Sequence, residues 1–200
     1  NSGTIELREA IAEKLSKENF LNYSPSEIIV SNGAKQCVYN AIQSVINDGD
    51  EVIFSSPYWV SYPEMVSLAH GKSVVIDTNE RDSFKINPGQ LEEAISPRTK
   101  LIILCNPSNP TGALYTKNEL ENIAEIIEKH NFYVIADEIY EKMVYDDNEF
   151  VSFASISDKV KSKTIVVNGL SKSYAMTGWR IGYAAGPQHI IKAMNKIQSH

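Results

Sequence analysis

A layered α/β fold with helices on both faces of a mostly parallel sheet is predicted for this chain of 200 residues by three observations. Short apolar runs alternate with amphipathic stretches along the whole length, the pattern of strand–helix–strand units. One run, Lys100 to Cys105, is so apolar that it reads as a strand buried on both faces, as in a parallel sheet. Helix-start signals open several of the amphipathic stretches, most clearly Thr116 followed by Glu119. The architecture that satisfies all three is a three-layer α/β/α sandwich.

The elements follow in order. Leu7, Ile11 and Leu15 recur at four-residue spacing and predict a helix over Thr4 to Glu18. Ile28 to Val30 is a short strand, and Ala34 to Ile46 a helix that buries Val38, Ala41, Ile42 and Val45. The turn Asn47-Asp48-Gly49-Asp50 leads into a strand from Glu51 to Phe54. Pro57 precedes a predicted helix from Tyr58 to Ala69, and Ser73 to Ile76 is the next strand. Asn87 caps a helix over Pro88 to Ile95, with Pro at its first position. After the strand Lys100 to Cys105, the capping box opens a helix running to His130, with Leu120, Ile123, Ala124 and Ile127 inward. Strands Phe132 to Ala136, Thr164 to Val167 and Ile181 to Ala185 follow, and a last helix starts near Pro187. Asp146 to Asp158 is the longest irregular stretch.

Composition narrows the function classes. Apolar content of 42% and charged content of 22% are ordinary globular values. A net charge of −6 argues against a nucleic-acid or anionic-membrane surface, where a basic stripe is expected. No apolar run approaches the ~18 residues of a membrane span. Cys37 and Cys105 lie on apolar stretches without metal-ligand spacing, so no metal site is expected, and they fit reduced thiols in a cytoplasmic protein. The chain starts at Asn1 and stops just after a helical pattern, which reads as a fragment.

In a sheet of this kind a ligand binds beyond the carboxyl ends of the strands. Five loops lie there, beginning at Ser31, Ser55, Asn106, Asp137 and Asn168. The first contains Gly33, Ala34 and Lys35 at a helix N-terminus, where exposed amides and the helix dipole favour an anion, or where glycine merely permits the turn. Trp59 in the second could stack on a flat heteroaromatic ring or belong to the core. In the third, two Asn-Pro steps make a rigid loop that could aim the Asn109 amide at a ligand oxygen; a tight surface turn is the plainer reading. Asp137 opens the fourth loop at the end of the strand Phe132 to Ala136, where a buried carboxylate needs a cation unless it only caps a short helix, and Tyr140 follows one helical turn on. The fifth carries Lys172, with Arg180 eight positions later: a lysine beside a fixed cation can form a Schiff base while the arginine clamps an anion. Together these groups suit a ligand with a phosphate, an aromatic ring, a basic ring nitrogen, a hydroxyl and an aldehyde, which describes pyridoxal 5′-phosphate.

The motifs NPSNPTG (106–112), ADEIY (136–140) and SKSYAMTGWRIGY (171–183) resemble those of the aspartate aminotransferase family of fold type I. The resemblance runs from Ile5-Glu6-Leu7-Arg8 to the last helix, and the spacings agree: 28 positions from Asn109 to Asp137, 3 from Asp137 to Tyr140, 8 from Lys172 to Arg180. It implies the large, cofactor-binding domain over residues 1–200, with the small domain outside this chain. It further implies that Lys172 is the catalytic residue, holding the cofactor as an internal aldimine and then carrying the proton between substrate Cα and cofactor C4′ in a ping-pong reaction. Asp137 would pair with the pyridine nitrogen, Asn109 and Tyr140 would donate to the 3′-oxygen, and Trp59 would stack on the ring. Arg180 and the backbone of Gly33, Ala34 and Lys35 would hold the phosphate.

Gly33-Ala34-Lys35-Gln36 resembles a bacterial subgroup in which this lysine reaches the substrate's distal carboxylate. Lys35, Trp59 and Asn109 are therefore the substrate-binding candidates, for aspartate or glutamate and in some relatives prephenate. The position three before the Schiff-base lysine often carries a phosphate-binding hydroxyl; here it is Gly169, with Ser171 as substitute. The α-carboxylate arginine and a tyrosine reaching the neighbouring subunit's phosphate are implied beyond the two ends of this chain, in a homodimer acting on an amino acid and a 2-oxo acid. A C–S lyase, a decarboxylase, an aromatic aminotransferase and the sensor domain of a transcription regulator share the same scaffold. A Rossmann dehydrogenase does not fit, since no Gly-x-Gly-x-x-Gly follows the first strand.

Overall fold

The computed structural model describes residues 1–200. Seven strands form one sheet: β1 (Ile28–Asn32), β2 (Glu51–Ser56), β3 (Lys72–Asp77), β4 (Thr99–Cys105), β5 (Tyr133–Asp137), β6 (Thr164–Gly169) and β7 (Ile181–Ala185). Their order across the sheet is β1-β7-β6-β5-β4-β2-β3. All run in one direction except β7, which is antiparallel to both neighbours. The sheet is mostly parallel, as predicted, and is mixed only through β7. The carboxyl ends of β1, β2, β4, β5 and β6 share one edge of the sheet, which is why their loops can meet.

Eight helices cover it: α1 (Ile5–Asn19), α2 (Ala34–Val45), α3 (Ser61–Leu68), α4 (Pro88–Ala94), α5 (Lys117–Lys129), α6 (Asp158–Lys161), α7 (Leu170–Ser173) and α8 (Gln188–Gln198). Strand alternation sorts them into layers. Leu101 and Ile103 of β4 face a core shared with α2, α3 and α8. Their neighbours Ile102 and Leu104 face the opposite core, built with Leu91 of α4, Leu120 and Ile123 of α5 and Val160 of α6. All four side chains are buried, each contributing roughly 1.5–3 kcal/mol. Ile11 and Leu15 of α1 extend that second layer over Ile28, Val166 and Tyr183.

The predicted caps are present. Thr116 Oγ1 accepts from the Glu119 amide while Glu119 accepts from the Thr116 amide at 2.7 Å. Asn87 and Gln90 make the same exchange at α4. Three expectations need correction. The helix predicted from Tyr58 starts only at Ser61, since residues 57–60 form a bend that takes Tyr58 and Trp59 out of the helix. The stretch predicted to be irregular up to Asp158 contains a short 3₁₀ turn, Phe153–Ser155, and leads straight into α6, capped by Ser157. Finally, Lys172 sits on the four-residue helix α7 and not on an open loop.

Candidate active site

At the strand-end edge a cleft of about 230 Å³ collects Ala34, Lys35, Trp59, Asn109, Asp137, Tyr140, Ser171, Lys172 and Arg180. Gly33 lies directly behind: a Cβ built on it would be 2.3 Å from Arg180 Nη2. Its φ of +81° turns the chain from β1 into α2, a conformation glycine adopts without penalty. The Ala34 and Lys35 amides at the start of α2 have no acceptor, while that of Gln36 bonds back to the Gly33 carbonyl at 3.1 Å, so the cleft can receive those two N–H groups and the positive end of the dipole. β7 supports this turn from below, because Gly182 leaves room for the Ala34 amide, 2.2 Å from where its Cβ would stand.

Arg180 adopts a left-handed backbone, φ 53°, which is uncommon outside glycine and aims its guanidinium back over this cup. Nη1 donates to the Thr177 carbonyl at 3.0 Å and reaches Ser171 Oγ at 3.5 Å. A side chain at 169 has no space: its Cβ would lie 2.8 Å from the Ile181 carbonyl oxygen and 3.0 Å from Gly182 Cα. Close packing of β6 on β7 therefore explains why position 169 is glycine, and the Ser171 hydroxyl lies within reach of Arg180.

Asp137 lies at the floor, 4% exposed. Its Oδ2 accepts a 2.6 Å hydrogen bond from the Tyr62 hydroxyl, while Oδ1 is buried without a hydrogen-bond partner. Burial pushes the Asp137 carboxyl up, and the Tyr62 hydroxyl and the Ile139 backbone amide pull it down. A buried oxygen without a donor is costly and rare, and a protonated ring nitrogen would complete it. Asn109 Nδ2 donates to the Tyr140 hydroxyl at 3.3 Å, so the two side chains proposed for one ligand oxygen already touch. Lys172 Nζ stands 5.8 Å from the Tyr140 ring centroid, and Lys35 Nζ 5.0 Å from that of Trp59. The donor set fits pyridoxal phosphate on these observations: an anion cup, an orphaned carboxylate oxygen and an amine on one cleft.

The sequence reading missed four lining residues: Tyr62, Cys105, Ile139 and Thr177. Tyr62 had a signal, since it stands three residues after Trp59, and its ring meets Trp59 edge-on with centroids 5.5 Å apart. Glu138, next to Asp137, faces away from the cleft. It accepts from Ser152 Oγ and from the Phe153 amide at 2.9 Å, tying the end of β5 to the 3₁₀ turn at Phe153–Ser155.

Burial pushes the Glu138 carboxyl from its ordinary 4.5 up to about 8. The folded protein therefore holds a proton there that the unfolded chain releases. The stabilisation is complete below the unfolded value and is lost as pH rises through about 8. Glutamine can make both hydrogen bonds without titrating. Glu138→Gln in the full-length protein is expected to flatten the fall of the denaturation midpoint between about pH 5 and about pH 8. A slope equal to that of the parent would contradict the assignment.

A family model described as "Aminotransferase class I and II" matches residues 1–200. The aspartate aminotransferase of Bacillus subtilis (strain 168) is 48% identical over 200 residues, covering 100% of this chain and 51% of that protein. A bifunctional aspartate aminotransferase and glutamate/aspartate-prephenate aminotransferase from Petunia hybrida is 50% identical over 200 residues, covering 100% of this chain and 42% of that one. A solved structure of the Thermus thermophilus aspartate aminotransferase with maleate superposes with a TM-score of 0.95 at 47% identity, covering 99% of this chain and 51% of that chain. The chain thus spans about half the length of these relatives.

Proposed function

Because the chain belongs to the class I and II aminotransferases, we propose that the whole protein is a pyridoxal-phosphate enzyme moving the amino group of L-aspartate to 2-oxoglutarate. Residues 1–200 would be its large domain, with the small domain outside this chain. The observation that carries the reading is the buried, partnerless Asp137 Oδ1 in the same cleft as the Lys172 amine and the Arg180-backed cup at the N-terminus of α2. The names of the relatives support the substrate. The homodimer and the cytoplasmic setting belong to the same proposal; no helix is long and apolar enough to cross a membrane.

Bound here, the cofactor supplies a carbonyl for the amino group and a ring that accepts an electron pair. The chain's own residues do the rest. The α2 amides and Arg180 hold the phosphate; Asp137 keeps a proton on the ring nitrogen; Asn109 and Tyr140 stabilise the phenolate oxygen. Lys172 would hold the carbonyl carbon, and its amine would move the proton at substrate Cα. Trp59 would cover the ring and exclude water.

Lys35 is the proposed reader of the second carboxylate. Its ammonium rests over Trp59 at the cleft wall, and maleate in the Thermus relative is a four-carbon dicarboxylate. Prephenate, in the name of the Petunia relative, also carries two carboxylates. The test is a spectral titration of the full-length holoenzyme with aspartate and with alanine. Lys35→Ala is expected to weaken the aspartate response about ten- to a hundredfold, the range for a hydrogen bond to a charged group, and to leave alanine unchanged. An aspartate response equal to the parent's would remove Lys35 from the site, and no response in the parent would remove the aspartate reading.

A further inference from the structure

The Tyr62–Asp137 pair has an asymmetry that a merely structural contact does not require. Tyr62 is 2% exposed, on the first turn of α3, and its hydroxyl donates to one carboxylate oxygen of a residue 75 positions away at 2.6 Å. The other oxygen is left bare and buried. The phenol is held in place on three sides: Phe54 and Trp59 pack against its ring, and the Cys105 thiol lies beside its hydroxyl. A rigid donor on Oδ2 fixes the rotation of the carboxylate and so fixes where Oδ1 points. It also favours the ionised carboxylate over the neutral acid in a site whose burial pulls the other way.

We propose that Tyr62 is a positioning residue which, by donating to Asp137 Oδ2, aims Oδ1 at the cofactor's ring nitrogen and keeps the proton of that contact on the nitrogen. This deepens the reading of the cleft as a pyridoxal-phosphate site and rests on it. No bond is made or broken by Tyr62. Without its hydroxyl, Asp137 becomes the stronger base of the two, and the shared proton moves from nitrogen to oxygen.

The test uses full-length holoenzyme reconstituted with cofactor labelled with ¹⁵N in the ring, with the nitrogen shift read by NMR alongside kinetics. In the parent protein the shift is expected at the pyridinium position. In Tyr62→Phe it is expected to move toward the unprotonated position, with kcat lowered about ten- to a hundredfold and KM for the amino donor unchanged. A pyridinium shift retained in Tyr62→Phe overturns the role of Tyr62 while leaving the cofactor site intact. A parent protein with no bound-cofactor resonance overturns both. Should Tyr62→Phe fail to fold, 3-fluorotyrosine at position 62 keeps the shape and donates more strongly. It must then move the Asp137 carboxyl ¹³C resonance further toward carboxylate, and an unmoved resonance overturns the proposal.

Discussion

Replacing Lys172 by alanine in the full-length protein is expected to lower transamination by at least about 10⁴-fold, the upper end of what a positioned proton carrier contributes. In the proposed mechanism the lysine would have two duties, and alanine removes both: it would anchor the cofactor's carbonyl carbon, and its freed amine would be the base that reaches substrate Cα. Its place suits the double use. Helix α7 directly follows the fully buried strand β6, so the backbone that carries Lys172 is fixed while its side chain is only half-buried. Cofactor binding should survive in reversible form, because the α2 amides, Arg180 and Asp137 remain. Equilibrium dialysis and steady-state rates measure the two effects separately. Turnover within a factor of ten of the parent would contradict the assignment.

Asp137→Asn is expected to lower kcat about 10²- to 10³-fold, the loss typical of removing one preorganised electrostatic partner. Asparagine matches the carboxylate in shape and can still accept from Tyr62, so the packing of Phe54, Tyr62 and the end of β5 should persist. What disappears is the negative charge that would face the ring nitrogen in the proposed site. The electron-accepting ring then loses its protonated form, and the loss falls on kcat more than on KM. A variant that keeps full kcat would mean that the bare Oδ1 serves no cation, and the reading of the cleft would fail with it.

Much of this site could be read from local chemistry. Gly33, Asn109, Asp137, Tyr140 and Lys172 each stand at or just past the carboxyl end of a strand, and the strand-end rule needs only the order of strands and helices to bring such loops together. The capping boxes at Thr116 and Asn87 work through bonds three residues apart, so their sequence signals were sufficient. The direction of β7 was not legible, because Ile181–Ala185 is equally apolar whichever way it runs; its antiparallel pairing is set by the chain turning back through residues 170–180. The start of α3 was missed because Tyr58 and Trp59 suit a helix by residue type, while the ring contacts Phe54–Tyr58 and Trp59–Tyr62 hold them in a bend. Tyr62 is not legible as part of the site, because its hydrogen-bond partner comes from a distant strand. Helix α6 has only four residues, too few for a period to show.

Lys172 is proposed as the residue to which the cofactor is attached. Borohydride reduction of the full-length holoenzyme, followed by proteolysis and mass spectrometry, tests it without any substitution. The reduced cofactor is expected on the peptide containing Lys172. Attachment at Lys35, the other lysine lining the cleft, or no attachment at all, would contradict it.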